Sequence, residues 1–409
     1  MPATDQAKRR KLVLFHWTMS SYFGWGVYGI NLALHLAQDP DLLALSSGPF
    51  RFEDIALDPM RMALMRPILD ASNRLRNDLL AAKSAMVHVQ PTVLRSLSDR
   101  LLRESNLPWD IKGTNEIGVA FICDSTIDEA ARMRARHYET IICGARWNAE
   151  LLLANGITNV QTVIQGIDPT LFHPAPSSGL FKDRFVIFSG GKLELRKGQD
   201  LVVRAFRAFH QRHPDSLLVT AWHSPWSQLA DLVSCLQGVA PVPKTEGGQC
   251  DVTSWLRACG LPVGSFIDLG AIPNAQMPPI LREADVALFP NRCEPGTNLV
   301  AMECMACGVP VVVAANTGHA ELIGDGISYP LRRQSPLVLN FGEMKGNPPM
   351  DTSAWGESDV EEMVETLEQI YTRRDEARAV GMAGSDMISQ FTWKRQMGLL
   401  KDAILPMLA

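Results

Sequence analysis

The chain begins the same fold twice, and this repetition limits its architecture more than any other feature. Residues 12–17 form a short apolar run that ends in a loop, and Val27, Ile30, Ala33, Leu34 and Ala37 then recur at helical spacing. Residues 184–188 do the same ahead of Ser189-Gly190-Gly191 and a helix through Leu201, Val202, Ala205, Phe206 and Phe209. Two such starts call for two units, and 409 residues at roughly 150 per domain have room for them. Between them His173-Pro174-Ala175-Pro176-Ser177-Ser178-Gly179 has linker composition, which sets the boundary at residue 176.

In the second half, strands are expected at 217–220, 266–269, 286–289 and 309–313 with helical stretches between them, the alternation of a parallel sheet covered on both faces. In the first half, 117–123, 140–142 and 160–163 read as strands, while 51–110 is helix-rich without a clear register. The fold class is therefore α/β with two Rossmann-like halves. Pro225, Pro241 and Pro243 mark 224–262 as an irregular insertion.

Composition removes several function classes. The net charge of −5 offers no general attraction to nucleic acid. Eight cysteines, all between Cys123 and Cys307, make no disulfide framework for so long a chain and fit a reducing cytoplasm. Lys8-Arg9-Arg10-Lys11 before an apolar run has the look of a signal peptide, but the run breaks at His16 with no cleavage site after it. No stretch of about 18 apolar residues occurs, so no transmembrane span is expected. Cytoplasmic location, or peripheral attachment at the inner face of a membrane, is the expectation.

Three motifs carry chemistry. Gly24-Trp25-Gly26-Val27-Tyr28-Gly29 satisfies G-x-G-x-x-G, but Met19 to Phe23 separate it from the strand, and no acid follows at the spacing that binds a dinucleotide ribose. Two readings stay open for it, a flexible turn and a loop that lets a ligand approach a helix start through Gly24 and Gly26. Gly190-Gly191-Lys192-Leu193-Glu194-Leu195-Arg196-Lys197-Gly198 follows the strand that opens the second half and puts three cations within six residues where open α/β sheets bind ligands. It suits a phosphate, or else is a solvated basic loop.

The third motif runs from Phe289 to Pro310. A strand ends near Pro290, and a helix begins near Thr297 or Asn298 and stops at Gly308. The helix is apolar almost all round and should be buried, with Glu303 its only charge. A buried carboxylate needs a protein partner or a ligand rich in hydroxyl donors. Pro295 and Gly296 leave the helix amides free for an anion. Cys304 and Cys307 lack the second pair a zinc site requires, so they read as small core residues and no metal site is expected. His16 is noted because it ends the first strand beside the glycine loop.

Together the second and third motifs resemble the retaining family 4 of the GT-B glycosyltransferases (glycosyl transferases group 1). That family carries a G-[RK]-L-x-x-x-K-G loop, here Gly191-Lys192-Leu193 through Lys197-Gly198, and an E-x-x-G-x-x-x-x-E-A-M-A-C-G-x-P-V-V block, here Glu294 through Val312. Gln165-Gly166-Ile167-Asp168 through Pro174 is similar to its linker entry. The resemblance implies a nucleotide-sugar donor, with Lys192 and Lys197 on its diphosphate, Glu303 on the ribose, Glu294 on the sugar, and Gly191, Gly296, Thr297, Asn298 and Leu299 around phosphate and sugar. It implies two domains facing across a cleft, 1–176 for the acceptor and 177–385 for the donor, with a helix in 386–409 crossing back to the first. It implies transfer with retention, no protein nucleophile, no cofactor, and a glycan, lipid-linked or protein acceptor.

Two departures stand out. Eight residues separate Glu294 from Glu303 where the family has seven, and Phe121-Ile122-Cys123-Asp124 lacks the first-domain histidine of many relatives. Asp124 is the natural substitute, as a sugar or acceptor ligand, or is a helix cap for residues 125–131. The alternative functions are a non-catalytic sugar-nucleotide-binding relative and an epimerase or phosphorylase of the same fold.

Overall fold

The computed structural model describes residues 10–82, 84, 86–103, 109–337 and 350–408, so Lys8 and Arg9 of the basic start lie outside the described residues. The first sheet contains β1 (Lys11–His16), β2 (Leu42–Ser46), β3 (Thr92–Leu97), β4 (Glu116–Ala120), β5 (Thr140–Cys143) and β6 (Val160–Thr162), all parallel, in the order β2-β1-β3-β4-β5-β6. The second contains β7 (Phe185–Gly190), β8 (Ser216–Ala221), β9 (Phe266–Asp268), β10 (Val286–Phe289), β11 (Val311–Ala314) and β12 (Tyr329–Leu331), also parallel, in the order β9-β8-β7-β10-β11-β12. In both sheets the order reverses beside the first strand, which opens a crevice at the strands' carboxyl ends.

The central strands are buried from end to end, as every residue of β3, β4, β7 and β10 shows, and this is why β7 and β10 read as largely apolar runs, while β3 and β4 also bury the charged Arg95 and Glu116. The helices are α1 (Gly24–Leu36), α2 (Pro59–Ala81), α3 (Glu129–Ala135), α4 (Arg146–Ala154), α5 (Gln199–His210), α6 (Val252–Ala258), α7 (Met277–Leu281), α8 (Leu299–Ala306), α9 (Val360–Thr372), α10 (Arg374–Ile388) and α11 (Trp393–Ile404). Helix α2 is the long element of the unplaced 51–110 region, started by Pro59 and by an Asp58 carboxylate that accepts the amides of Met60 and Arg61.

Several boundaries differ from the sequence expectation for local reasons. β11 starts at Val311 because Pro310 has no N–H to give the ladder. β4 stops at Ala120, since the amide of Ile122 goes to the Asn148 side chain and that of Cys123 to the Asp99 carboxylate. The expected helix over 125–131 instead begins at Glu129 with Asp128 as its cap, accepting from Ala131, so Asp124 does not cap it.

The chain passes to the second sheet between Thr162 and Phe185 and comes back at Phe391. There the amides of Ile167 and Trp393 exchange bonds with Phe391 O (2.8 Å) and Ile167 O (3.0 Å). Helix α11 packs on α1, with Trp393, Met397, Leu400 and Ile404 buried in the core of the first domain. Lys11 Nζ donates to Leu408 O (2.9 Å), which ties β1 to the segment after α11.

Candidate active site

A cleft of about 720 Å³ lies between the carboxyl ends of the two sheets. On the second-domain side, β7 ends in Gly190 and Gly191, and Gly191 takes φ +125, a backbone that only glycine adopts without strain. The following turn carries three cations. Lys192 Nζ sits 4.8 Å from the Trp226 ring centroid, a cation–π contact with the 224–262 insertion. Arg196 pairs with Glu194 (2.6 Å) and reaches Glu294 (3.3 Å), while Lys197 Nζ donates to Glu294 Oε2 at 2.6 Å.

Glu294 also accepts from Asn291 Nδ2 (2.7 Å), and its own amide donates to Thr317 Oγ1 (2.8 Å). Burial raises its pKa, but Lys197 and Arg196 outweigh that and hold the carboxyl down at about 2. Burial draws the Lys197 ammonium below its usual value, with Glu294 opposing. Three cations thus face the carboxylates of Glu194 and Glu294, which leaves the turn with positive charge for an anion.

Helix α8 begins beside this cluster. Asn298 caps it with a left-handed φ of +60, and Gly296, Asn298 and Leu299 line the cleft. Glu303 lies one turn deeper, 3% exposed, and accepts one hydrogen bond, from Asn274 Nδ2 at 2.5 Å. Burial pushes its carboxyl up to about 8, so it is protonated at neutral pH until a ligand favours the ion. The domains meet across the same cleft: Asn274 donates its amide to Ser21 O (2.7 Å), and the rings of Phe23 and Trp226 stand 5.5 Å apart.

Residues 184–338 match the family model described as Glycosyl transferases group 1. Over this segment, the chain is similar to the group 1 glycosyl transferases. Among similar proteins, a GDP-mannose-dependent alpha-(1-6)-phosphatidylinositol dimannoside mannosyltransferase of Mycobacterium tuberculosis is 26% identical over 205 residues, 48% of this chain and 46% of that one. A D-inositol 3-phosphate glycosyltransferase of Saccharomonospora viridis is 26% identical over 253 residues, 59% of this chain and 49% of that one. The chain spans about half the length of these curated relatives. Solved structures that share the architecture include Anabaena HepE with UDP and glucose (TM-score 0.61, 13% identity, 97% of this chain, 100% of that one). Sucrose-phosphate synthase from Thermosynechococcus elongatus is another (TM-score 0.57, 15% identity, 97% and 99%). The two facing Rossmann-like domains are the GT-B fold.

The first-domain side of the cleft differs from the sequence reading at several residues. The glycine pattern lies within the first turns of α1 rather than in a loop, and of its two candidate ligand residues only Gly24 lines the cleft. Gly26 faces the preceding loop, where a Cβ would lie 2.5 Å from the backbone N of Ser20. Thr297 is fully buried with its hydroxyl on the Met302 sulfur (2.8 Å) and does not line the cleft. Asp124 is also absent from the cleft lining. Its carboxylate takes Arg100 Nε (2.9 Å) and the amides of Thr126 (2.8 Å) and Asp351 (3.1 Å), so it is a joint between the domains.

Among the described residues of the first domain, the acid that does line the cleft is Asp99, two residues past β3. One oxygen, Oδ1, accepts the amides of Cys123 (2.6 Å) and Asp124 (2.9 Å), and burial raises its pKa. Sequence reasoning missed it because β3 itself was missed: Arg95 at its centre breaks the apolar pattern. The structure buries Arg95 by pairing it with Glu116 (3.0 Å) and Asp110. His16 lies in that network, with Nδ1 on Ser47 Oγ (2.8 Å) and Nε2 3.7 Å from Asp110, and burial lowers its pKa to about 4. Cys304 and Cys307 are buried thiols of α8 and its cap, pushed up by burial.

Proposed function

We propose that this protein moves a sugar from a UDP- or GDP-linked donor to a hydroxyl acceptor with retention of configuration. The observation that carries this reading is the meeting of the Lys192–Lys197 turn and the α8 start around Glu303, a buried carboxyl with one partner in a cleft. Lys192 and Lys197 hold the diphosphate, and Glu303 takes the ribose hydroxyls. Glu294, ionised and fixed by Lys197, Arg196 and Asn291, takes hydroxyls of the sugar.

In the transfer, the bond from the anomeric carbon to the diphosphate oxygen breaks while the acceptor oxygen bonds on the same face. The acceptor's proton passes to the departing diphosphate. The cations and the α8 amides stabilise the negative charge as it develops, the task that a resident metal performs elsewhere. Asp99, anchored through one oxygen, has the other available to orient the acceptor hydroxyl.

The acceptor is a hydroxyl on a glycan, a lipid-linked molecule or a protein, and the relative named for phosphatidylinositol dimannoside supports the lipid-linked case. Among the described residues no helix is long and apolar enough to cross a membrane. We place the protein in the cytoplasm or peripherally at the inner face of the membrane.

Purified protein incubated with a panel of UDP- and GDP-sugars is expected to bind at least one and to hydrolyse or transfer its sugar. Binding without either reaction across the panel would make the protein a non-catalytic relative. Asp99→Asn is expected to lower turnover about tenfold or more with donor affinity unchanged, the mark of a group that acts on the acceptor.

A further inference from the structure

His319 is fully buried in the 3-10 stretch Thr317–Leu322 after β11, outside the motifs read from the sequence. Its Nδ1 is 3.3 Å from Ala314 O, and its Nε2 is 3.0 Å from Nδ2 of Asn298. A carbonyl only accepts, so Nδ1 carries the proton and Nε2 presents a lone pair. That lone pair can receive only an N–H, so the Asn298 amide turns its NH₂ toward the ring. Its Oδ1 is thereby aimed away from the ring, buried and without a hydrogen-bond partner among the described residues. Asn298 is itself 2% exposed and lines the cleft between Gly296 and Leu299. A buried acceptor without a partner is rare in a folded protein, and at a cleft it marks a place where a ligand brings the donor.

We propose that His319 is a positioning residue that fixes the polarity of the Asn298 amide, so that Oδ1 accepts a hydroxyl of the transferred sugar. The inference rests on the reading of the cleft as a nucleotide-sugar site. The geometry requires a neutral ring, because an imidazolium would donate from both nitrogens and reverse the amide. Burial, together with Lys197 and Arg196, holds the His319 pKa down at about 4 against the opposing pull of Glu294, so the ring is neutral wherever the enzyme is folded near pH 7.

The test compares two affinities by calorimetry, UDP against UDP-glucose and GDP against GDP-mannose. The ratio of sugar nucleotide to free diphosphate isolates the sugar's own contacts. His319→Phe removes the lone pair and is expected to lower that ratio about tenfold, the effect of one well-placed hydrogen bond, with diphosphate affinity unchanged. His319→Gln, which returns an acceptor within reach of Asn298, is expected to restore most of it. Asn298→Gly keeps the left-handed backbone, deletes the amide and should lower the ratio as far, so it reads the same contact should His319→Phe fail to fold. An unchanged ratio in Asn298→Gly, or equal loss of diphosphate and sugar nucleotide in the His319 variants, overturns the proposal. Failure of the wild type to bind any of the four compounds overturns the nucleotide-sugar reading beneath it.

Discussion

Glu303 gives the cleft its clearest dependence on pH. Its carboxyl titrates at about 8 in the folded protein against an ordinary 4.5, so the native state holds its proton more tightly than the unfolded chain. The sign follows directly: the contribution to stability is complete below pH 4.5 and is lost as pH rises through 8. Glu303→Gln removes this slope, and the variant's melting temperature, relative to wild type, is expected to rise between pH 5 and pH 9. On the proposed nucleotide-sugar reading, binding runs the other way, since ribose hydroxyls would donate to the ion. Wild-type affinity for the matching diphosphate should strengthen from pH 6.5 to 8.5 with release of a proton. Glu303→Gln should flatten that profile and weaken binding by about 1.5–3 kcal/mol, the range for hydrogen bonds to a charged group. A parallel profile in the variant would assign the titration to another group. The need for Glu303 to have a partner was legible from the sequence because it is the only charge on an apolar helix. That Asp99 and not Asp124 enters the cleft was not legible, because both acids follow strands, and only the path of the loop after Ala120 decides which one turns inward.

Among the elements, α1 shows how a sequence pattern can be present for a reason other than its usual one. Its glycines look like a phosphate fingerprint, yet Gly26 is there because a Cβ would meet the Ser20 backbone, and Gly29 because one would lie 2.9 Å from Trp17 Nε1. Both let the helix approach the loop after β1 closely. Gly26→Ala is therefore expected to destabilise the protein by about 1–3 kcal/mol through overpacking, although alanine is the better helix former, and thermal or urea unfolding would read it. A neutral or stabilising effect would return the residue to the category of a flexible turn. The second sheet was more legible than the first because 185–188, 217–219 and 286–289, within β7, β8 and β10, are apolar runs. β12 was missed because Pro330 sits within it, a residue tolerated there because the strand lies at the edge of the sheet.

For the whole molecule, polar contacts between the domains include Asp351 on Asp124, Trp355 Nε1 on Cys123 O (2.9 Å), Asn274 on Ser21, and Arg146 on Glu321 (2.8 Å), beside the apolar contact of Phe23 with Trp226. Such contacts suit domains that separate to admit a substrate and close over it. Helix α11 differs in being a permanent part of the first domain. Leu400→Ala is expected to cost about 2–5 kcal/mol, and limited proteolysis should cut the first domain before the second. Simultaneous cutting of both would mean that the domains unfold as one unit. The packing of α11 also sets an order of assembly during translation. The strands of the first domain leave the ribosome early, but part of their apolar core is supplied by Trp393, Met397, Leu400 and Ile404, made only after the entire second domain. The domain encoded first is thus the one completed last, and it waits, partly uncovered, for the final helix of the described chain.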